Sequence, residues 1–427
     1  MDGENKGMLV NQRSGSTDVG ELEGLLSRIA PNVARILEKS VQQNEISVSE
    51  AEILFQSEND ELQALLLTAD AVRQARVGDD VSFVITRNIN FTNICYMGCR
   101  FCNFNRRFED PDAESLSLDE IANRAEEAWN RGATEVCIQG GLHPKIPADH
   151  YRNILIAIKE RVPDIHIHAF SPFEIWFGAK KNRCTPADFI RDLKVHGLGS
   201  MPGTAAEILD VEVRRKLTQD KLSTADWVEI VKSAHHEGIP TTATIMYGHV
   251  DEPRHWAHHI DLIRSIQKET GGFTEFVPLG FIHYESPIYL DGEARPGPTY
   301  SENIRMHAVA RLMLAGWIDN IQVSWVKMGP RLAQEMLSYG VNDLGGTLMN
   351  ESISRAAGAY HGQEITPREM VEIIRAAGRT PIRRSTTYAV LERYNDHSPL
   401  DLAPLVNRNT NQEQQLQETI CCPCAEV

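Results

Sequence analysis

Residues 81–102 have the sequence VSFVITRNINFTNICYMGCRFC, an apolar run followed closely by three cysteines. The apolar run is rich in β-branched residues and predicts a buried strand over residues 81–89. The cysteines have the spacing C-x3-C-x2-C, and no fourth cysteine or histidine follows nearby. A structural zinc site needs four protein ligands, whereas three thiolates on a four-iron cubane leave one iron open to a small molecule. We therefore expect a metal-binding loop formed by Cys95, Cys99 and Cys102. A zinc loop completed by a distant fourth ligand is the alternative to a cluster.

The composition of the chain excludes several classes of protein. The 427 residues carry a formal net charge of −16, which argues against a nucleic acid or an anionic membrane as the partner. No apolar stretch is long enough for a membrane span, and the N-terminus lacks the basic and apolar segments of a signal peptide. Eight cysteines are too few and too clustered for a disulfide scaffold, so we expect a cytoplasmic protein.

Four segments of the chain differ in composition. Residues 1–80 are predicted to form a disordered terminus followed by a helical extension, and residues 81–378 a single barrel domain. A C-terminal extension is expected over residues 379–406, and a flexible polar tail over residues 407–427. We interpret three cysteines of that tail as incidental thiols rather than as a second metal site; they are Cys421, Cys422 and Cys424.

Short β-branched runs alternate with amphipathic helical patterns eight times between residues 81 and 378. Eight strand–helix units in succession predict an α/β fold, a (β/α)8 barrel of the TIM type. An incomplete barrel of six units is the alternative, because the last strand is glycine-rich. The strand candidates are residues 81–89, 135–139, 165–170, 197–201, 241–246, 274–279, 321–326 and 344–348. Capping signals for the helices between them occur at Ser117, Thr185, Ser223 and Thr366.

Glycine and polar residues follow several predicted strands, at the end where the active sites of such barrels lie. Gly140 and Gly141 follow the second strand, where a bare backbone either admits a ligand or simply forms a tight turn. Glu174 follows the third strand, where its carboxylate either bonds a hydroxyl group or stays solvated. The candidates after the fifth and sixth strands are Tyr247, His249 and His283. For each of these three residues the alternatives are a role in proton transfer or substrate contact and a role in packing alone.

The cysteine loop resembles that of the radical S-adenosylmethionine (radical SAM) enzymes, whose signature is C-x3-C-x2-C. The resemblance implies that the three cysteines bind a 4Fe-4S cluster and that S-adenosyl-L-methionine binds the open iron. It also implies that Phe101 contacts the adenine and that Gly140 and Gly141 meet the methionine amino group. Ser171 and Glu174 would complete the cofactor site, with Glu174 bonded to a ribose hydroxyl.

Further blocks of sequence resemble the CofH family, the tyrosine-using half of deazaflavin (Fo) synthase. The likeness spans residues 81–388 and is specific well beyond the cysteine loop. Gly199 stands where an aspartate is expected in that family, so no role carries over to that position. The blocks are NINFTN at 88–93, CRFC at 99–102, MPGTAAEIL at 201–209, MYGH at 246–249, GGFTEF at 271–276, WVK at 325–327 and NDLGGT at 342–347.

The likeness to the CofH family implies a transferase with two small-molecule substrates, L-tyrosine and 5-amino-6-(D-ribitylamino)uracil. A radical derived from S-adenosylmethionine would take a hydrogen atom from tyrosine, whose Cα–Cβ bond then breaks, and the 4-hydroxybenzyl fragment would join the uracil. We expect three residues to take part in catalysis: Tyr247, His249 and His283. The implied partners are a separate cyclising radical SAM subunit of the CofG type and an electron donor.

Two alternatives to this function remain open. The aminofutalosine synthase of menaquinone biosynthesis has a similar barrel, although the blocks PGTAAE and DLGGT favour the deazaflavin family. A zinc-stabilised barrel that acts as a binding protein is the alternative from another class.

Overall fold

The computed structural model describes residues 19–218 and 221–394. The predicted disordered terminus over residues 1–18, the predicted tail over residues 407–427 and the three cysteines of that tail lie outside the described residues. Within the described residues, no helix combines the length and the apolarity that a membrane span requires.

In the described part of the chain, four helices precede the first strand and cover one side of the barrel. Phe55 packs edge-on against Trp256 of an outer barrel helix, with ring centroids 5.2 Å apart. Arg264 of the same outer helix donates a hydrogen bond to the carbonyl oxygen of Ile46 at 2.9 Å. These contacts attach the extension firmly to the barrel wall. The four helices are α1 (Val19–Leu26), α2 (Pro31–Val41), α3 (Val48–Leu54) and α4 (Asn59–Val77).

Seven strands, all parallel where they pair, form most of the barrel wall. They are β1 (Asp80–Val84), β2 (Thr86–Asn90), β3 (Glu135–Gln139), β4 (His166–Ala169), β5 (Thr241–Tyr247), β6 (Phe273–Gly280) and β7 (Asp343–Gly346). Ladders of hydrogen bonds join β7 to β1, β2 to β3, β3 to β4, and β5 to β6. Because β1 and β2 are consecutive parts of one strand, only two gaps remain, one before β5 and one before β7.

In each of the two gaps, isolated parallel β-bridges stand in place of a full strand. His168 pairs with Ser200 and Met201 pairs with Thr241, so residues 200–201 occupy the position between β4 and β5. Residues 321–322 occupy the position between β6 and β7 in the same way, through bridges to Phe276 and Asp343. Eight strand positions therefore follow one another around a TIM-type barrel. This confirms the predicted fold class, and the six-unit alternative is not supported.

Three predicted strands differ from the observed ones in extent. The first is divided at Ile85, because its two halves pair with different neighbours. The fourth and seventh predicted strands are reduced to the single bridges. Gly199 approaches the imidazole of His166 so closely that an added Cβ would lie 2.5 Å from a ring carbon, which leaves little room for regular strand pairing there. Trp325 and Val326 begin a helix instead of ending a strand.

The predicted helix starts are confirmed where capping signals occur. The Ser117, Ser223 and Thr366 side chains each accept a hydrogen bond from the backbone three residues later in a complete capping box, and Thr185 also caps its helix. The helices after β2 are α5 (Leu118–Asn130), α6 (His150–Arg161), α7 (Pro172–Asn182), α8 (Pro186–Val195), α9 (Val211–Leu217), α10 (Thr224–His236), α11 (Pro253–Thr270), α12 (Pro287–Leu290), α13 (Tyr300–Leu314), α14 (Trp325–Met336), α15 (Ile353–Ala356) and α16 (Pro367–Ala376).

The described part of the C-terminal extension joins the barrel sheet. Strand β8 (Thr380–Arg384) runs parallel to β1, and β9 (Val390–Arg393) runs antiparallel to β8. The buried guanidinium of Arg384 donates to Asp343 Oδ1 at 3.1 Å and to Glu275 Oε2 at 3.4 Å. Both carboxylates lie near the N-terminal ends of their strands, at the end of the barrel opposite the cysteine loop. We call Glu275, Asp343 and Arg384 the basal charge cluster.

Candidate cluster and substrate site

The cysteine loop follows β2 at the C-terminal ends of the barrel strands, where the sequence predicts it. Backbone hydrogen bonds fix both of its ends: the amide of Cys95 donates to Arg106 O at 3.0 Å, and the amide of Arg100 donates to Leu217 O at 2.9 Å. The Arg107 guanidinium adds a hydrogen bond of 2.9 Å to the carbonyl oxygen of Cys95. These hydrogen bonds to neighbouring segments therefore fix the position of the cysteine loop.

The three thiols of the loop are close enough to influence one another electrostatically. Burial raises the pKa of Cys102 to about 11 and also raises the pKa of Cys95, and the charge of Cys99 raises both further. The ammonium group of Lys221 acts in the opposite direction on both thiols. All three cysteines are free of disulfides and partly exposed. Three soft ligands on one loop beside a cation fit an iron–sulfur cluster, whose binding requires deprotonated thiols.

The zinc alternative finds no support in the described residues. Over residues 19–218 and 221–394, no three histidine, cysteine, aspartate or glutamate side chains converge on a point where one metal ion could sit. The thiolates of a cubane bind three separate irons, so they surround the cluster without meeting at one point. The arrangement of the loop is compatible with a cluster.

Gly140 and Gly141 form a turn that is pressed against the cysteine loop. A Cβ on Gly141 would lie 2.3 Å from Ile94 O and 2.9 Å from the Cβ of Cys95, and a Cβ on Gly140 would lie 2.6 Å from the ring of Phe91. The amide of Gly141 donates to Thr92 O at 2.8 Å. Both glycines are thus required by the close approach of two loops, and that approach brings the turn next to Cys95.

Ser171 and Glu174 form the capping box of α7 and anchor the glycine turn. The Glu174 carboxylate accepts hydrogen bonds from Ser171 N at 2.8 Å, from Ser171 Oγ at 2.6 Å and from Gly140 N at 3.0 Å. Its side chain is buried, which raises its pKa to about 7 despite these three donors. The solvated alternative for Glu174 is therefore wrong. The expected contact with a ribose hydroxyl stays a prediction.

Phe101 lies beside a buried ion pair. The ammonium group of Lys221 is 5.0 Å from the centre of the Phe101 ring, and Lys221 also forms a salt bridge with the buried carboxylate of Glu207. The ring is half-buried in the cysteine loop. An adenine contact by Phe101 stays a prediction.

Two of the three predicted catalytic residues occupy structural positions. Tyr247 is fully buried, and its hydroxyl donates to Asn303 Oδ1 at 2.5 Å on the outer side of the barrel wall. His249 is also buried, with Nε2 2.9 Å from Met246 O and Nδ1 accepting from Val250 N at 2.7 Å. Both polar groups of His249 are satisfied within the protein. The structure therefore favours the packing alternative for these two residues.

His283 lines a cavity of about 230 Å³ at the barrel mouth. Its imidazole packs against the rings of Tyr284 and Tyr289, with centroids 4.1 Å and 4.5 Å away. Partial burial lowers its pKa. Other wall residues that the sequence analysis did not select are Asn303, Lys327, Tyr360 and His361. The available signal was the position of Lys327 in the WVK block directly after the seventh strand; nothing marked Tyr360.

Comparisons with known proteins agree with the geometry of the site. Residues 89–263 match the radical SAM superfamily, and residues 270–397 match the CofH/MqnC C-terminal region. The chain is 54% identical over 330 residues to the FO synthase of Mycobacterium tuberculosis, which covers 77% of this chain and 39% of that protein. The chain thus spans about two fifths of the length of such FO synthases.

A relative of similar length is the 5-amino-6-(D-ribitylamino)uracil–L-tyrosine 4-hydroxyphenyl transferase of Methanothermobacter thermautotrophicus. It is 47% identical over 364 residues, which cover 85% of this chain and 99% of that protein. Two solved structures share the fold at low identity. The hydrogenase maturase HydG from Carboxydothermus hydrogenoformans has a TM-score of 0.65, 18% identity, and coverage of 86% and 84% of the two chains. Methylornithine synthase has a TM-score of 0.65, 17% identity, and coverage of 82% and 97%. The chain therefore belongs to the CofH family of the radical SAM superfamily.

Proposed function

We propose that this chain transfers the 4-hydroxybenzyl group of L-tyrosine to 5-amino-6-(D-ribitylamino)uracil in deazaflavin biosynthesis. The observation that carries the proposal is the 47% identity to a transferase named for this activity, across 99% of its length. The products are 5-amino-5-(4-hydroxybenzyl)-6-(D-ribitylimino)-5,6-dihydrouracil, 2-iminoacetate, methionine and 5′-deoxyadenosine.

In this proposal, different residues at the barrel mouth bind the cluster, bind S-adenosyl-L-methionine and contact its adenine. Cys95, Cys99 and Cys102 would hold a 4Fe-4S cluster. With S-adenosyl-L-methionine bound, that cluster would supply the carbon-radical chemistry that the reaction of tyrosine needs. The turn at Gly140 and Gly141, supported by Ser171 and Glu174, lies against the cysteine loop and offers backbone groups to the cofactor, and the ring of Phe101 offers an apolar surface for its adenine. Bound substrates that fill the mouth would keep water away from so reactive a species.

The two matched regions support a division between cofactor and substrate binding. The cysteines and the glycine turn lie within the superfamily region, residues 89–263. All the residues of the cavity wall, from Gly280 to His361, lie within the CofH/MqnC region, residues 270–397. Radical generation is common to the superfamily, whereas substrates differ between its members. The cavity is therefore the better candidate for substrate binding.

The proposed partners follow from the same reaction. One external electron is needed to reduce the cluster, so we include an electron donor among the partners. The coupled product must still be cyclised to give a deazaflavin. We therefore propose that a CofG-type radical SAM partner performs the cyclising step, in the cytoplasm.

Anaerobic incubation of the reconstituted protein tests the function directly. With S-adenosylmethionine, tyrosine and ribitylaminouracil we expect 5′-deoxyadenosine and the coupled product, both dependent on tyrosine. Production of deoxyadenosine at the same rate without tyrosine would reject tyrosine as the substrate. Turnover of an enolpyruvyl ether instead would favour the aminofutalosine synthase alternative.

A further inference from the structure

The segments that line the cavity at the barrel mouth are hydrogen-bonded, a few residues away, to the cysteine loop. Asn103, next to the ligand Cys102, donates a hydrogen bond to Ala356 O at 2.8 Å. Residues 359–361, a few positions later, line the cavity. On the other side, the carbonyl oxygen of Arg100 accepts a hydrogen bond of 2.8 Å from Ile288 N, in the segment after β6. A molecule in this cavity would lie next to the cluster loop.

Lys327 brings a positive charge to the cavity wall. Its side chain is half-buried, and none of the described carboxylates forms an ion pair with it within 4.0 Å. The negative groups that act on it are Glu351 and the Cys102 thiol, and burial lowers the pKa of the ammonium group. The Glu351 carboxylate accepts from Ser354 N at 2.9 and 3.1 Å. Lys327 therefore offers hydrogen-bond donors to an anionic group in the cavity.

Aromatic rings form the opposite part of the wall. The hydroxyl groups of Tyr284 and Tyr360 are hydrogen-bonded to each other, and their ring centroids are 5.2 Å apart. His283 packs on Tyr284, and Asn303 has its carboxamide fixed by the buried hydroxyl of Tyr247. Such a wall can hold a planar ring and also hydrogen-bond to a phenol.

We propose that this cavity binds the amino acid substrate, with Lys327 paired to its α-carboxylate and its aromatic ring packed against the contacting pair Tyr284 and Tyr360. This inference rests on the proposed function, because it presumes that the substrate is an aromatic amino acid. It adds a site and a positioning residue: Lys327 fixes the amino acid backbone, and with it the hydrogen to be abstracted, relative to the cluster loop.

Binding of tyrosine and of tyramine, which lacks the carboxylate, tests the role of Lys327. Calorimetry is performed on the full chain loaded with cluster and S-adenosylmethionine. We expect the wild type to prefer tyrosine to tyramine, and Lys327→Met to weaken tyrosine binding by about 10- to 100-fold while tyramine binding is unchanged. Lys327→Arg should restore most of the preference. Arg331→Met is the matched control, since Arg331 lies four residues later in α14, beyond its break at Gly329, with its side chain 95% exposed.

The outcomes separate this inference from the proposed function. A Lys327→Met protein that keeps the preference for tyrosine would overturn the inference, as would a loss of iron, which would assign Lys327 to the cluster instead. A wild-type protein that binds no tyrosine would reject the proposed function itself. Tyr360→Ala provides a second test with little risk to folding, because Tyr360 is 67% exposed. We expect weaker binding of both ligands, by about 3- to 10-fold, and unchanged binding of either ligand would remove Tyr360 from the site.

Discussion

Cys99 influences both neighbouring thiols in the loop. Burial raises the pKa values of Cys95 and Cys102, and the charge of Cys99 raises both further. With Cys99→Ala, a cluster would keep two of its three thiolates, so we expect iron to fall from about four per chain to nearly none after anaerobic reconstitution. Iron and sulfide analysis measures this. Cys184→Ala removes an exposed thiol and should load normally; a normal iron content in Cys99→Ala would contradict the ligand assignment.

The ionisation of Glu174 makes the free energy of unfolding depend on pH. Burial raises its folded pKa to about 7, above the ordinary value of 4.5, so the folded state binds the proton more tightly than the unfolded state. Its ionisation therefore destabilises the cofactor-free protein as pH rises from about 4.5 to about 7. Glu174→Gln has no such ionisation. We expect the wild type to lose up to about 3 kcal/mol more than this variant between pH 5 and pH 8, measured by urea unfolding. Equal losses would show that the carboxylate ionises normally.

Sequence reasoning located the cysteines but not the orientation of residues at the strand ends. The thiols are adjacent in sequence, so one loop brings them together whatever the details of the barrel. Tyr247 ends a strand, and in a strand a single position decides between the lumen and the outer face. Its ring points outward to Trp256, with centroids 5.8 Å apart. The sequence analysis assigned no role to Lys327, which directly follows the seventh predicted strand. In the structure Lys327 lies at the start of α14 and lines the cavity.

The contact between the glycine turn and the cysteine loop can be tested with two alanine substitutions. In Gly141→Ala the new Cβ would lie 2.3 Å from Ile94 O, so one of the two loops must shift. We expect several-fold lower cluster occupancy and a destabilisation of about 1–3 kcal/mol. Gly98→Ala lies in the cysteine loop itself, with no atom within 4 Å of its added Cβ, and should behave as the wild type. Iron content and thermal unfolding compare the two; equal behaviour would mean that the loops can separate freely.

Elements with clear apolar runs were predicted well, and those held by single bridges were not. Residues 135–139 form β3 as predicted, because the short apolar run at residues 136–138 suits a buried strand of a parallel sheet. The fourth strand position contains Gly197 and Gly199 and makes only isolated bridges. Its place in the ring depends on tertiary packing, since the His166 and His168 rings both lie 2.7 Å from Ser200 Oγ. The sequence around residues 197–201 does not reveal that two histidines of the neighbouring strand will contact Ser200.

The basal charge cluster connects the C-terminal extension to the rest of the barrel. In Arg384→Met the carboxylates of Asp343 and Glu275 would remain buried without their cation. We expect a loss of about 3–5 kcal/mol in the free energy of unfolding, measured by urea denaturation at pH 8. Arg393→Met is the matched control on β9, since its ion pair with Asp80 is largely exposed and should contribute less than about 1 kcal/mol. Equal losses in the two variants would mean that burial does not distinguish these pairs.

Lowering the pH should partly restore the stability of Arg384→Met, because a buried carboxylate left without its cation binds a proton more readily. Burial already raises the pKa of Glu275 to about 7 in the wild type, although Arg384 opposes the shift. Without the guanidinium, the folded pKa of Glu275 rises further above its unfolded value, so the variant binds protons on folding. Its stability should therefore increase relative to the wild type as pH falls from 8 to 5, and the difference in unfolding free energy should shrink by about half. A difference that stays constant across this range would mean that the lost stability comes from packing of the Arg384 side chain rather than from its charge.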